Sequence, residues 1–195
     1  LIAAFQYRVP SEGWKPEGYE PPSEKESAAK MKTLNNVHIN QALKTPQFYQ
    51  LWIVLCFNVS AGIGVIGVAK TMMSEIFGSA PGGTDLANLV TAGFAGTYVL
   101  MISVFNMCGR IIWASLSDYI GRKNTYHCFF VIGTLLYLSI PFTANAVSVN
   151  PSVMYLVMFY AATMIIFTMY GGGFATIPAY LADMFGTMHV GGIHG

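Results

Sequence analysis

In the run VLMISVFNMCGRIIWASL, residues 99–116, one arginine stands among residues that carry no other charge. Arg110 follows Asn106 by four residues, so on a helix the amide and the guanidinium share a face. Ser103, Asn106, Arg110, Trp113 and Ser117 recur at helical spacing. Such a polar stripe suits a face that lines a water-filled cavity and does not suit a surface turned to lipid. A guanidinium is a planar fork of donors that stays charged even when partly buried, so a group of this kind is suited to meeting an anion. The competing account is an arginine whose long stem snorkels out to the headgroups.

The elements that must hold these residues are membrane helices. The chain is 54% hydrophobic and 10% charged, with a mean hydropathy of +0.51, far from the roughly 25% charged residues of a soluble average. Ten basic and nine acidic residues nearly balance, and no basic patch interleaved with aromatics supports nucleic-acid binding. The three cysteines, Cys56, Cys108 and Cys128, lie in apolar surroundings at unrelated spacings. They form neither a disulfide framework nor a zinc signature and read as buried thiols.

Crossing a hydrocarbon core of about 30 Å takes about 20 residues of helix. Residues 45–69 and 86–109 hold no charge, and neither do residues 124–182. That last run would be nearly 90 Å long as one helix, at ~1.5 Å per residue, and must fold back once. The break reads at TANAVSVNPS, residues 143–152, with Asn150 as cap and Pro151 in the first turn of the next helix. Thr45 and Pro46 repeat that signature at the start of the first span. The expectation is an all-α membrane protein with full helices near residues 46–72, 86–117, 123–143 and 151–180. Residues 1–9 read as the end of a preceding transmembrane helix and residues 10–44 as a cytoplasmic linker, in which VPSEGWKPEGYEPPSEKESAAKMKT, residues 9–33, is rich in proline, glutamate and lysine and reads as solvated with no core to bury. The two ends read as cut, so the chain is expected to be part of a longer one.

Six of the ten cations, Arg8, Lys15, Lys25, Lys30, Lys32 and Lys44, precede the first full span, and Arg122 and Lys123 lie between the second and third. Two spans separate these basic connections, which puts them on one side, and the positive-inside rule makes that side cytoplasmic. Lys70 reads as a snorkelling residue near the outer end of its helix. Arg110 then lies about two turns inside the membrane, roughly 10 Å from the basic turn.

The turn ASLSDYIGRKN resembles the signature loop of the major facilitator superfamily, carried here by Ala114, Leu116, Asp118, Gly121, Arg122 and Lys123. Alanine replaces the family's usual glycine at the first position. The resemblance implies that this loop joins the second and third helices of a six-helix half on the cytoplasmic side. With the long charged linker before them, the spans then correspond to about helices seven to ten of twelve, a partial C-terminal half covering residues 45–195. The stretches TPQFYQLWIVLCFNVSAGIGVI, SVFNMCGRIIWASLSDYIGRKN, which holds Asn106 and Arg110, and YGGGFATIPAYLADMFGTMHVGGIHG are similar to the oxalate/formate antiporter family, kin of the monocarboxylate transporters. That likeness implies a small carboxylate anion as substrate, bound by Arg110 with Asn106, and a second cation beyond Gly195. It also implies alternating access against the missing N-terminal half of the same chain. Asp118, with Gly121, Arg122 and Lys123, is implied as a conformational latch. The surroundings are a lipid bilayer, expected to be the plasma membrane.

Tyr160, Thr163, Phe167, Tyr170 and Phe174 fall on one face of the last span. Tyr170 and Thr163 are candidates to hold a small planar anion there, with aromatic packing between helices the competing account. GIGVIG, residues 62–67, matches a dinucleotide fingerprint in letters only, since it lies inside a span, and reads as close helix packing. GGGFAT, residues 171–176, lacks the lysine of a phosphate loop and reads as flexibility or close backbone approach, with Pro178 adding a kink. His189 and His194 have no third ligand, so no metal is assigned, and no cofactor is expected. No nucleophile, base and orienting group fall together, which argues against an enzyme. Two other readings stay open: a proton-coupled symporter for another solute, and a membrane sensor that kept the carrier scaffold.

Overall fold

The structure is a computed structural model of the 195-residue chain and describes residues 14, 17–18, 32–33, 35–78 and 85–195. The expected helix end at residues 1–9 and most of the linker at residues 10–44 lie outside the described residues. The described residues form helices and connections with no strand: α1 Ile39–Ala42, α2 Pro46–Met73, α3 Asp85–Leu89, α4 Ala92–Ile120, α5 Arg122–Val149, α6 Val153–Phe185 and α7 Val190–His194. Four of them, counting α2 with the π turn Ser74–Gly78 that prolongs it, are long and apolar enough to cross a membrane.

Each end differs from the expectation for a local reason. The second span is not continuous from 86 to 117, because the chain breaks after α3 and restarts with Thr91 as cap, its hydroxyl accepting from the Phe94 N–H at 3.3 Å. α4 then runs to Ile120, and Gly121, at φ 87°, both ends α4 and starts α5. No Cβ contact would restrict that glycine, so the backbone angle is what the residue type supplies. α5 does not stop near 143 but continues through Pro141 to Val149. The Thr143 hydroxyl donates to Ser139 O and Ile140 O there, as hydroxyls do around an intramembrane proline. Asn150 closes α5 and does not cap α6; Ser152 caps α6, accepting from Met154 N–H, and Pro151 stays outside the helix. α6 passes Pro178 and stops at Gly186, φ 85°. Thr45 does precede Pro46 at the start of α2, but its hydroxyl donates back to Ala42 O at 2.7 Å.

α6 is the axis of the bundle, with α4 along most of its length and α5 and α2 on other faces. Bundles in lipid gain little from burying apolar surface between helices, so close packing of small residues carries the association. The glycines show where. A Cβ on Gly109 would come within 2.1 Å of Thr168 O, one on Gly171 within 2.1 Å of Asn106 O, and one on Gly172 within 2.6 Å of Trp113 Cβ. Gly173 meets the Asn58 amide of α2 in the same way, and its carbonyl accepts from the Tyr126 hydroxyl of α5 at 2.8 Å. Of the two readings of GGGFAT, close approach is the one observed. GIGVIG divides: Gly62 packs under the Tyr170 ring, whereas Gly64 and Gly67 have no neighbour within 4 Å.

Two apolar clusters lie on either side of this glycine layer. One gathers Met73, Phe77, Tyr98, Phe159 and Phe167. The other gathers Tyr126, Phe129, Leu181, Phe185 and Ile193, and includes Ala42 with Val37 and Ile39 packed against it. Val37, Ile39 and Ala42 follow the stretch 9–33 that reads as solvated. The cysteines also depart from expectation, Cys56 being exposed and Cys108 and Cys128 only half-buried. Replacing Gly109 by alanine should lower stability by about 1–3 kcal/mol, the usual cost of overpacking, because backbone rather than a flexible side chain must give way. Thermal unfolding in detergent micelles followed by tryptophan fluorescence measures it, and an unchanged midpoint would mean that α4 and α6 are not in backbone contact.

Candidate functional site: a mid-span arginine and a paired basic loop

α4 carries Arg110 ten residues before its end at Ile120, roughly 15 Å along the axis. The longer helix thus sets the cation deeper than the sequence suggested. Arg110 is exposed on an open face of α4, and its Nε donates to Asn106 Oδ1 at 3.4 Å, one turn back. Its guanidinium carbon lies 5.7 Å from the centre of the Phe174 ring of α6, within cation–π range. Phe174 packs edge-on against Tyr170, centroids 5.4 Å apart, and Tyr170 lies over Gly62 of α2. Asn106, Arg110, Phe174 and Tyr170 therefore form one connected group spanning α4 and α6. Among the described residues no carboxylate pairs with Arg110; the ion pairs there involve Lys32 and Arg122 only.

Thr163 does not join this group. It is fully buried, and its hydroxyl donates to Phe159 O and Tyr160 O of its own helix. It also precedes Phe174 by 11 residues, about 16 Å along the axis. Phe167 is likewise buried in the core, while Tyr160 and Phe174 are half-buried, so the aromatic face divides between packing and surface. The polar stripe of α4 divides too. Ser103 and Asn106 line a cavity of about 220 Å³ between α2 and α4, but Trp113 turns to α5 and α6, donating to Thr168 Oγ1 at 3.1 Å and meeting Phe129 edge-on. Ser117 is buried at the basic loop.

That loop holds the larger cavity, about 580 Å³, lined by Lys32, Ser117, Asp118, Arg122, Tyr180 and Asp183 among others. It is remote from Arg110, and its walls carry both signs of charge. Arg122 is the hub. Its Nε donates to Asp183 Oδ2 at 3.2 Å, its Nη2 donates to Asp118 Oδ1, and its Nη1 donates to the Ser117 hydroxyl. The Nη1 group also reaches Ala114 O at 3.5 Å. Gly121 supplies the turn that lets Arg122 fold back over α4, and Lys123 is exposed at the rim of the same cavity. Sequence reasoning named Asp118, Gly121, Arg122 and Lys123 but missed Asp183. The signal was present, since Asp183 is the first acid after the charge-free run and must fall near the basic turn at the same end of the bundle.

These features define a multi-pass integral membrane protein, all-helical among its described residues, with a basic loop tying two spans to a third. The sequence profile of the Major Facilitator Superfamily matches residues 1–195, and the chain belongs to that family. It is 33% identical over 153 residues to the oxalate:formate antiporter of Oxalobacter formigenes, covering 76% of this chain and 31% of that protein. It is 26% identical over 147 residues to the uncharacterized MFS-type transporter YhjX of Escherichia coli K12, covering 75% of this chain and again 31% of the relative. The chain thus spans about a third of the length of these curated relatives. No solved structure gives a significant match.

With side-chain exposures of 12% for Arg122 and 16% for Asp183, Asp183→Asn should cost roughly 2 kcal/mol, between the values for exposed and fully buried pairs. Thermal unfolding checks this. The Asp183→Asn/Arg122→Gln double variant should cost less than the two singles together, whereas strict additivity would show that the two groups do not interact.

Proposed function

We propose that the chain forms part of the C-terminal half of a secondary carrier, about helices seven to ten of twelve, that moves small carboxylates by alternating access. Residues 10–44 are the central cytoplasmic linker of that carrier, residues 1–9 the end of the helix before it, and the plasma membrane its location. The observation that carries the reading is Arg110. A cation in mid-span is costly unless it meets a counter-charge or water, and this one has only the neutral Asn106 and an aromatic face as partners among the described residues. Because Nε is occupied by Asn106, the two terminal amines are left to take the oxygens of a carboxylate, in the bidentate geometry that suits this pair. Tyr170 and Phe174 bound the space beside the cation and favour a small planar anion. The relative named for oxalate and formate exchange supports the substrate class.

In this mechanism the empty cation resists the occluded state, because carrying an unpaired charge through a dry interior is expensive. Bound anion removes that barrier, which couples reorientation to loading and gives exchange. The basic loop acts at the cytoplasmic end: Asp118 and Arg122 hold the ends of α4 and α5 to α6 in one state and part in the other. The remainder of the cavity, including a second cation, belongs to the rest of the parent protein.

Counterflow of labelled oxalate, formate, lactate and pyruvate in proteoliposomes of the full-length parent tests this. Saturable exchange of at least one anion is expected. Arg110→Gln should reduce kcat/KM by ~30-fold or more, the factor that matches the lower end, about 2 kcal/mol, for truncating one partner of a charge pair that becomes enclosed in the loaded carrier. Arg110→Lys should fall well short of the parent, because a point charge lacks the fork. Undiminished exchange in either variant would remove Arg110 as the partner of the carboxylate, and absence of exchange for every carboxylate in folded parent protein would remove the substrate class.

A further inference from the structure

We infer that residues 32, 33 and 35–38 form a strap across the end of α6 that couples the linker to the basic loop through one shared carboxylate, Asp183. The last carbonyls of a helix have no partner within it, and at α6 the strap supplies them. Thr33 N–H donates to Asp183 O at 2.7 Å, and Val37 N–H donates to Phe185 O at 2.8 Å. In return Asn36 Oδ1 accepts from Met188 N–H at 3.1 Å, beyond the helix end. Gly186 makes the fit possible, since a Cβ there would lie 2.5 Å from Asn35 O, quite apart from its φ of 85°. Val37 packs on the apolar cluster beneath, and the His38 ring meets that of His189 edge-on, centroids 5.0 Å apart.

The strap also reaches the charge cluster. Lys32 Nζ lies 3.6 Å from Asp183 Oδ1 while Arg122 Nε holds Oδ2 at 3.2 Å. One carboxylate thus receives a cation from the linker on one oxygen and a cation from the α4–α5 turn on the other. The same residue's backbone carbonyl is capped by the strap, so the strap fixes the position of the acid as well as sharing its charge. Peeling the strap away uncaps the last turn of α6 and frees Asp183 to move. Arg122 then loses the more buried of its two carboxylates and keeps Asp118, whose side chain is 61% exposed. A pull on the linker is in this way transmitted to the loop between α4 and α5. The inference concerns the linker alone and does not depend on the identity of any substrate.

Hydrogen–deuterium exchange of the full-length parent in nanodiscs tests it. The amides of Thr33 and Val37 should be protected relative to free chain. Val37→Pro, which removes one strap donor, should speed exchange in the peptide covering residues 117–125 by roughly 5-fold or more, the low end of a typical coupling between sites. Lys32→Gln, which keeps the backbone bonds, should act in the same direction more weakly and decides the matter if the proline variant does not fold. Lys44→Gln, a charge change elsewhere in the segment, should leave residues 117–125 unchanged. Unprotected Thr33 and Val37 amides would remove the strap. Faster exchange confined to the strap and the end of α6 would reduce it to a simple cap, and an equal effect from Lys44→Gln would replace specific coupling by general charge.

Discussion

The contact on which the other features depend is the backbone approach of α4 to α6. Gly109 sits against the Thr168 carbonyl, and Gly171 against that of Asn106. Helices surrounded by hydrocarbon cannot be driven together by expelling water from between them, so contact distance is the main resource. A methyl at either glycine would separate the axes. The same contact fixes the site, because Asn106 supplies both the carbonyl that meets Gly171 and the side chain that holds Arg110. Phe174, three residues beyond Gly171, is set under the guanidinium by that register. Packing and site are therefore one geometry.

A second constraint acts at the basic end. α4, α5 and α6 end there, and their ends leave carbonyls and amides to be satisfied. Arg122 joins α4 to α6 by charge, through Ser117, Asp118 and Asp183. The backbone of residues 33 and 37 joins α6 to the linker. Charge pairs of this kind are worth little in the open, but Arg122 and Asp183 are largely enclosed, and removing one would strand the other. The basic end is thus held by pairs that share Arg122, the arrangement on which the proposed latch rests.

Much of this was legible in the sequence because composition and charge are one-dimensional signals. Charge-free length located all four spans, and the pattern Ala114 to Lys123 located the loop and its glycine. Ends were less legible, since they depend on which hydroxyl finds a free amide. Thr91 and Ser152 do so, while Asn150 does not. Helical spacing placed Thr163 and Phe174 on one face, but could not tell that the face turns from core to surface between them. The polar stripe failed at Trp113 for the same reason: periodicity gives a direction from the axis, not what lies there. Asp183 was not legible from the loop motif itself, because its partner lies across the bundle, 61 residues away along the chain.

The two arginines of these spans are treated in opposite ways, and the contrast bears on what Arg110 is for. Arg122 receives two carboxylates and a hydroxyl, the arrangement expected when a partly enclosed cation is to be stabilised. Arg110, ten residues before the end of α4, receives a neutral amide and a ring face. A fold that can place acids around one guanidinium could place one beside the other. An acid fixed one turn away would act at a very high effective concentration and exclude a soluble anion from the same donors. Asn106 orients the cation through Nε without neutralising it, which leaves the charge open to the exchangeable partner proposed for it. In the proposed carrier of anions that is the useful state, because affinity must be strong enough to load the site and weak enough to empty it.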